Sequence, residues 1–247
     1  MKPTGKEHHK LRLQVYLSRN GVCSRRSAMG IVQEGQVMVN GMKVTEPSVL
    51  VDPMTDRVSV NGKTVKAKCY QYLLLNKPKG YVTTKAKGHK EKNIYLMLPP
   101  AYHHLSPVGR LDKDTEGLLL LTNDGDTAYK LTHPKFNVEK TYYVVIEGRL
   151  EMDKRKKIER GVFLDGKRTA PAKVKLIRLK KWQTELNLTI HEGQKRQVRR
   201  MFAVIKHKVT YLKRTLQGPL RLGALKPGQF RELSGAEISA IENLNHD

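Results

Sequence analysis

The stretch Gly109-Arg110-Leu111-Asp112-Lys113-Asp114-Thr115-Glu116-Gly117-Leu118-Leu119-Leu120-Leu121-Thr122-Asn123-Asp124-Gly125 places three carboxylates at alternating positions just ahead of four leucines. Four successive leucines suit a short strand buried on both faces, which is predicted over 117–122. The carboxylates then stand at the mouth of that strand. A calcium loop would also begin this way, but its twelfth position would be Asn123 in place of a bidentate Glu. The leucines also fall where further ligands are needed, and the reading fails. A second reading pairs Asp114 and Glu116 with nearby basic residues. A third makes one Asp a nucleophile or general base in a cleft facing RNA. An Asp is ionised at neutral pH and repels a phosphate backbone, so in such a cleft it needs a chemical reason to be there.

The rest of the chain supplies the RNA. Among 247 residues, 47 are Lys or Arg and 23 are Asp or Glu, a formal net charge of +24. Solubility of a small domain needs a net charge of only about 2–8. The excess points to a polyanion, with nucleic acid favoured over an anionic membrane surface because no long amphipathic Trp/Leu helix is present. A hydrophobic content of 38% supports a core and argues against full disorder. The longest purely apolar run, Leu118–Leu121, falls far short of the ~20 residues that cross a bilayer. Residues 1–9 are expected to be a disordered basic lead-in with no secretory signal. Cys23 and Cys69 read as reduced thiols of a cytoplasmic protein.

Toward the N-terminus, Leu13, Tyr16 and Leu17 mark a short helix that Asn20-Gly21 ends. Ser24 is a good N-cap for a second helix, with Ala28, Ile31 and Val32 on one face and Gly35 at its end. Arg25 and Arg26 sit in its first turn, where the helix dipole disfavours cations unless an anion lies in front. Two hairpins are predicted at 37–44 and 58–65, each turning on Asn-Gly. Residues 10–68 thus form a small basic unit. After a short linker, strands are predicted at 72–75, 81–84, 117–122, 140–147, 172–179, 185–190 and 210–215. Residues 85–93 are expected to be a mobile loop. A helix is expected over 197–205, and a capping box at Ser234–Glu237 opens a last helix. With no alternation of strand and helix, 70–247 reads as α+β on a mixed, largely antiparallel sheet with flanking helices.

The quoted stretch resembles the active-site segment of the RsuA/RluB type of pseudouridine synthases. The resemblance extends to Leu74-Leu75-Asn76-Lys77-Pro78-Lys79-Gly80, to Lys140-Thr141-Tyr142 and to Glu192 through Met201. Residues 12–41 resemble the S4 RNA-binding domain that these enzymes carry. The resemblance implies isomerisation of a uridine in a large-subunit (23S) rRNA stem-loop, without metal or other cofactor, by a cytoplasmic monomer acting on the rRNA precursor. It implies that Asp112 is the catalytic aspartate, that Tyr142 lies against the target base and that Arg199 pairs with Asp112. Arg110 corresponds to a side chain that fills the gap left by a flipped nucleotide. RNA contacts are expected from Arg12, Ser24, Arg25, Arg26, Lys77, Lys79, Lys195, Arg196 and Arg200. Many members have Asn at the position of Lys195, which bears on a local contact.

The residues agree with these roles in part. Taken alone, Tyr142 reads as a strand core residue. Arg199 lies on the flank of a helical stripe of Val198, Met201, Phe202 and Ile205, while Arg196 and Arg200 face solvent or RNA. The aspartate can act by covalent attack or by removing a ribose proton, and sequence leaves both open. The same chemistry on 16S rRNA or tRNA is an alternative. So is a non-catalytic RNA-binding or ribosome-assembly factor.

Overall fold

A computed structural model describes residues 10–85 and 90–244, so the expected lead-in at 1–9 lies outside the described residues. The chain divides into two compact units, the first ending at Tyr70 and the second beginning at Gln71. No helix among the described residues is long and apolar enough to cross a membrane.

The first unit opens with helices α1 (Leu13–Arg19) and α2 (Arg25–Gln33). Ser24 caps α2 by accepting the Ser27 amide at 3.1 Å. Strands β1 (Val37–Val39), β2 (Met42–Val44), β3 (Val58–Val60) and β4 (Lys63–Thr64) pair in the order β2-β1-β3-β4. Both hairpins turn on residues with positive φ, at 50° and 82° for Asn40-Gly41 and 47° and 77° for Asn61-Gly62. Paired positive φ is what a type I′ turn requires. Leu13, Tyr16, Leu17, Ala28, Val32, Val37, Val51 and Val58 make a small buried core.

The second unit is built on one sheet. Its seven longer strands are β5 (Tyr72–Lys77), β6 (Glu116–Thr122), β7 (Lys140–Glu147), β8 (Lys173–Leu179), β9 (Gln183–Ile190), β10 (Val209–Gln217) and β11 (Phe230–Glu232). They lie in the order β8-β9-β7-β10-β6-β5-β11. Among the described residues of this sheet, β10 with β6 is the one parallel pairing. The helices are α3 (Gly125–Thr132), α4 (Met152–Arg160), α5 (Gln197–Val204) and α6 (Gly235–Glu242). Leu118–Leu121 are fully buried at the centre of the sheet, as a continuous apolar run demands. Val198, Met201, Phe202 and Ile205 belong to the same core cluster as Leu119, Leu121, Tyr142 and Val144, so α5 covers one face.

Three local expectations are corrected. Residues 81–84 do not form a strand, and Val82 makes only an isolated bridge with Asn93. The pairing there is taken over by a side chain: the Thr83 hydroxyl donates to the Leu111 carbonyl at 3.0 Å and accepts the Leu111 amide at 3.3 Å. The strand expected at 72–75 runs on to 77, because Asn76 and Lys77 stay in β5 and are fully buried. Of the loop expected at 85–93, residues 86–89 lie outside the described residues, and its flanks are held. Lys85 Nζ donates to the His104 carbonyl at 2.8 Å, and the Val82 amide donates to the Lys92 carbonyl at 2.9 Å.

Helices α3 and α4 have no counterpart in the sequence reading. Asp124 caps α3 by accepting two amides, a signal present in Asp124-Gly125-Asp126-Thr127. Helix α4 buries little beyond Ile158, so its periodic signal is one residue wide.

Candidate active site

On the α5 face of the sheet, a cleft of about 750 Å³ opens between the 108–115 segment, the ends of β7 and β10, and the turn before α5. Asp112, Tyr142, Arg110, Lys195 and Arg196 all line it. Leu111 is buried in the core and tied to Thr83, which fixes the chain one residue before Asp112. The Asp112 carbonyl accepts the Thr115 amide at 3.1 Å, closing a tight turn. Its carboxylate is half-buried and makes no hydrogen bond or ion pair among the described residues. Tyr142 is 8% exposed and stands between Leu188 on β9 and Arg214 on β10.

The turn sends Asp114 toward α5. There Arg196 grips it with two hydrogen bonds of 3.1 Å. Arg199 Nε lies 3.1 Å from Oδ2 without hydrogen-bond alignment, and its Nη2 donates to the Asp114 carbonyl at 3.0 Å. Burial alone would push the Asp114 carboxyl up. The Arg196 hydrogen bond and the two arginine charges outweigh it and hold the group below the usual carboxylate range. The pairing expected between Arg199 and Asp112 is therefore corrected: Arg199 pairs with Asp114, because the 112–115 turn aims alternate carboxylates in different directions. Glu116 Oε1 meets Lys213 Nζ at 3.2 Å, so both downstream acids are paired.

Other expected RNA contacts separate clearly. Arg110, Lys195 and Arg196 are exposed at the cleft. Arg12, Ser24, Arg25 and Arg26 are exposed on the first unit, although the Ser24 hydroxyl also caps α2. Lys77 is corrected. It is fully buried, and its ammonium donates to the Pro78 carbonyl at 2.9 Å and the Lys113 carbonyl at 3.5 Å. Burial pushes it down to about 8, against the pull of Asp114, Asp112 and Glu116. It braces the loop from below and cannot meet a phosphate. Arg200 pairs with Asp165 at 2.6 Å and lies outside the cleft lining. Lys79 is exposed but lies over the Tyr211 ring, outside the cleft lining.

Sequence reasoning missed four buried polar residues of the cleft. Gln197 organises the turn before α5: its carbonyl oxygen accepts the Gln194 amide at 2.9 Å, and its amide donates to Glu192 at 2.7 Å. Lys140, Arg214 and Gln217 line the cleft from β7 and β10. Lys140 lay within a quoted motif without a role, and polar residues at 214 and 217 look like opposite faces of an ordinary strand.

Comparison with known proteins adds to this geometry. The family described as RNA pseudouridylate synthase matches residues 71–204, and the S4 domain matches residues 11–56. A Bacillus subtilis (strain 168) protein named ribosomal large subunit pseudouridine synthase B is 44% identical over 235 residues, covering 94% of this chain and 96% of the relative. An uncharacterized RNA pseudouridine synthase of Aquifex aeolicus (strain VF5) is 38% identical over 232 residues, covering 94% and 93%. A crystal structure of a pseudouridylate synthase superposes with a TM-score of 0.67 at 33% identity, covering 94% of this chain and 99% of that one.

Proposed function

This chain belongs to the RNA pseudouridylate synthase family, and on that premise we propose that it isomerises one uridine in a 23S rRNA stem-loop, with Asp112 as the catalytic residue and no cofactor. The observation that carries the reading is the Asp112 carboxylate. It is half-buried and unpaired among the described residues, and it is the one acid lining a cleft that also presents Arg110, Lys195 and Arg196. A large-subunit target is supported by the name of the Bacillus subtilis relative.

A uracil inside a stem cannot be detached and turned, so it must first leave the stack, at a cost of a few kcal/mol. Phosphate contacts by the exposed cations offset that cost, with Arg110 placed to fill the vacated space. The Tyr142 face holds the extruded base, a stacking contact worth ~1–3 kcal/mol. Asp112 then attacks C1′ or removes the C2′ proton. By either route the N1–C1′ bond breaks and its electron pair leaves with the base. The base turns and C5 bonds to C1′, either as the C1′–oxygen bond to Asp112 breaks or as Asp112 returns its proton to C2′. The C5 proton then passes to solvent, N1 takes one up, and Asp112 is restored. Arg199 and Arg196 act on this chemistry through Asp114, by clamping the loop that carries Asp112. The first unit supplies RNA affinity through Arg12, Arg25 and Arg26. We place the enzyme in the cytoplasm, as a monomer on precursor rRNA.

The test is tritium release from 5-tritiated 23S rRNA. The Asp112→Asn variant is expected to bind RNA as the wild type does while release drops to background, a loss on the order of 10⁴-fold. Undiminished release would remove Asp112 from the chemistry. Mapping of pseudouridines in cells lacking the protein identifies the uridine, and an unchanged map would leave only an RNA-binding factor.

A further inference from the structure

We propose that Lys140 and Arg214 form a cationic floor that stabilises the negative charge on the uracil ring when its bond to ribose breaks. The inference rests on the reading of this cleft as the site of uridine isomerisation, and it holds for either role of Asp112 at the sugar.

The floor is made by a strand irregularity. Strands β7 and β10 run antiparallel, with Lys140 opposite Gln217 and Tyr142 opposite Arg214. Regular alternation would put residues 214 and 217 on opposite faces. The register shifts between Thr141 and Tyr142, so β10 spends one extra residue there, and Arg214 and Gln217 both turn inward. Directly opposed side chains start only ~4.5–5.5 Å apart at Cβ. The two rungs therefore bring Lys140, Gln217, Arg214 and the Tyr142 ring together on the cleft side of the sheet.

The two cations are buried without a counter-ion. Lys140 is 8% exposed and Arg214 3% exposed, and neither has a carboxylate partner among the described residues. Lys140 Nζ donates to the carbonyls of Val138 at 2.9 Å and His191 at 3.1 Å. Arg214 Nε donates to the Leu118 carbonyl at 2.8 Å, while its Nη2 has no partner. Burial, reinforced by the Arg214 charge, pushes the Lys140 ammonium down to about 8. Two like charges held side by side out of water are costly unless an anion joins them.

The shape of the vacancy selects that anion. On the proposed function, RNA phosphates meet the exposed rim, where Arg110 and Lys195 carry no carboxylate partner among the described residues. The floor also presents an acceptor, Gln217 Oε1, which is buried without a partner. The Gln217 amide nitrogen donates to the Leu131 carbonyl at 3.4 Å, which fixes the orientation of the side chain. An acceptor beside two cations repels a phosphate. It suits a uracil, whose N3–H donates to Gln217 while O2 and O4 face the cations. When N1–C1′ breaks, the electron pair stays on N1. Conjugation spreads it to O2 and, through C6=C5, to C5 and O4. Cations fixed beside those oxygens lower the barrier to cleavage, and the pair on C5 then forms the new bond to C1′.

The experiment uses the full-length protein and 23S rRNA transcribed with either uridine or 5-fluorouridine. Fluorine at C5 withdraws electrons and makes the ring a better leaving anion, so it substitutes for missing cationic help. Single-turnover rates are read by digestion and chromatography, as pseudouridine from uridine and, from 5-fluorouridine, which has no C5 proton to lose, as the C5-linked nucleoside that has added water across N1 and C6. Lys140→Gln is expected to slow uridine isomerisation ~100-fold, the loss typical of removing one charge-stabilising donor. Its RNA affinity stays at the wild-type value. With 5-fluorouridine the loss shrinks to about tenfold or less, and Lys140→Arg recovers most of the uridine rate. Should Lys140→Gln fail to fold, Arg214→Lys and Arg214→Gln carry the same comparison, with Lys recovering what Gln loses. An equal loss on both RNAs, or a loss seen only as weaker RNA binding, overturns the floor. Wild-type protein inert on both RNAs overturns the reading of the cleft itself.

Discussion

The rim and the floor of the cleft carry the same kind of charge in opposite surroundings. Arg110, Lys195 and Arg196 are solvent-exposed, whereas Lys140 and Arg214 are buried, as is Lys77 beneath the 112–115 turn. An exposed cation on a chain of charge +24 adds one more place for a phosphate to land. A buried cation has given up its hydration, and only a specific partner restores the loss. The rim cations keep their hydration and need no such partner. For Lys77 it is the carbonyls of Pro78 and of Lys113 in the turn above it. On the proposed function, burial more than charge separates the residues placed to hold RNA from those placed to shape the reaction.

The most severe test of this division is Gly117→Ala. Gly117 has φ +116°, and an added Cβ would lie 2.2 Å from the Arg214 carbonyl oxygen. The parallel contact of β6 with β10 is close enough to exclude any side chain, and it joins the Asp112 loop to the floor. The variant is expected to lose about 2–3 kcal/mol in denaturant unfolding, through overpacking and a φ that alanine resists. Unfolding at the wild-type midpoint would mean that the floor yields and is not preorganised.

A smaller effect should appear in the pH dependence of stability. The Lys77 ammonium is lowered from 10.5 to about 8 in the folded chain. Between those values the unfolded chain binds more protons, so this group makes stability rise with pH across the window. The slope is at most about 1.4 kcal/mol per pH unit. The difference in stability between wild type and Lys77→Met should therefore grow in favour of the wild type from pH 8 toward 10. A flat difference would place Lys77 in contact with solvent and erase its contrast with the rim.

The rim should give the mildest response. Arg110→Ala and Lys195→Ala are expected to weaken RNA binding, each reducing the slope of log affinity against log salt by about 0.7–0.9. Single-turnover rates at saturating protein should change less than for Lys140→Gln. A rim variant that kept its affinity but lost its rate would reverse the comparison.

Much of this architecture was legible in local patterns. Leu118–Leu121 declared a doubly buried strand, and Asn40-Gly41 and Asn61-Gly62 declared their turns. Ser24 and the Ser234–Glu237 box declared helix starts. Charge declared a polyanionic partner, and the motif around Asp112 pointed to the cleft that this residue lines. Strand 81–84 failed because a side chain, Thr83, took over the pairing that a backbone ladder would have made. Helix α4 failed because it has so little to bury. The partner of Arg199 failed because Asp112 and Asp114 are the same residue type two positions apart, and only the turn between them decides which one faces α5.

Chain order by itself determined most of the strands and helices, and that Asp112 would stand at a strand entrance, because propensity, capping and burial patterns act over a few neighbours. Tertiary structure alone decided that Arg214 and Gln217 share a face with Lys140, that Lys77 is sealed from water and that Arg199 meets Asp114. Each depends on a bulge, a register or a crossing between segments some 35 to 85 positions apart, where no local energy term connects the residues until the sheet has formed.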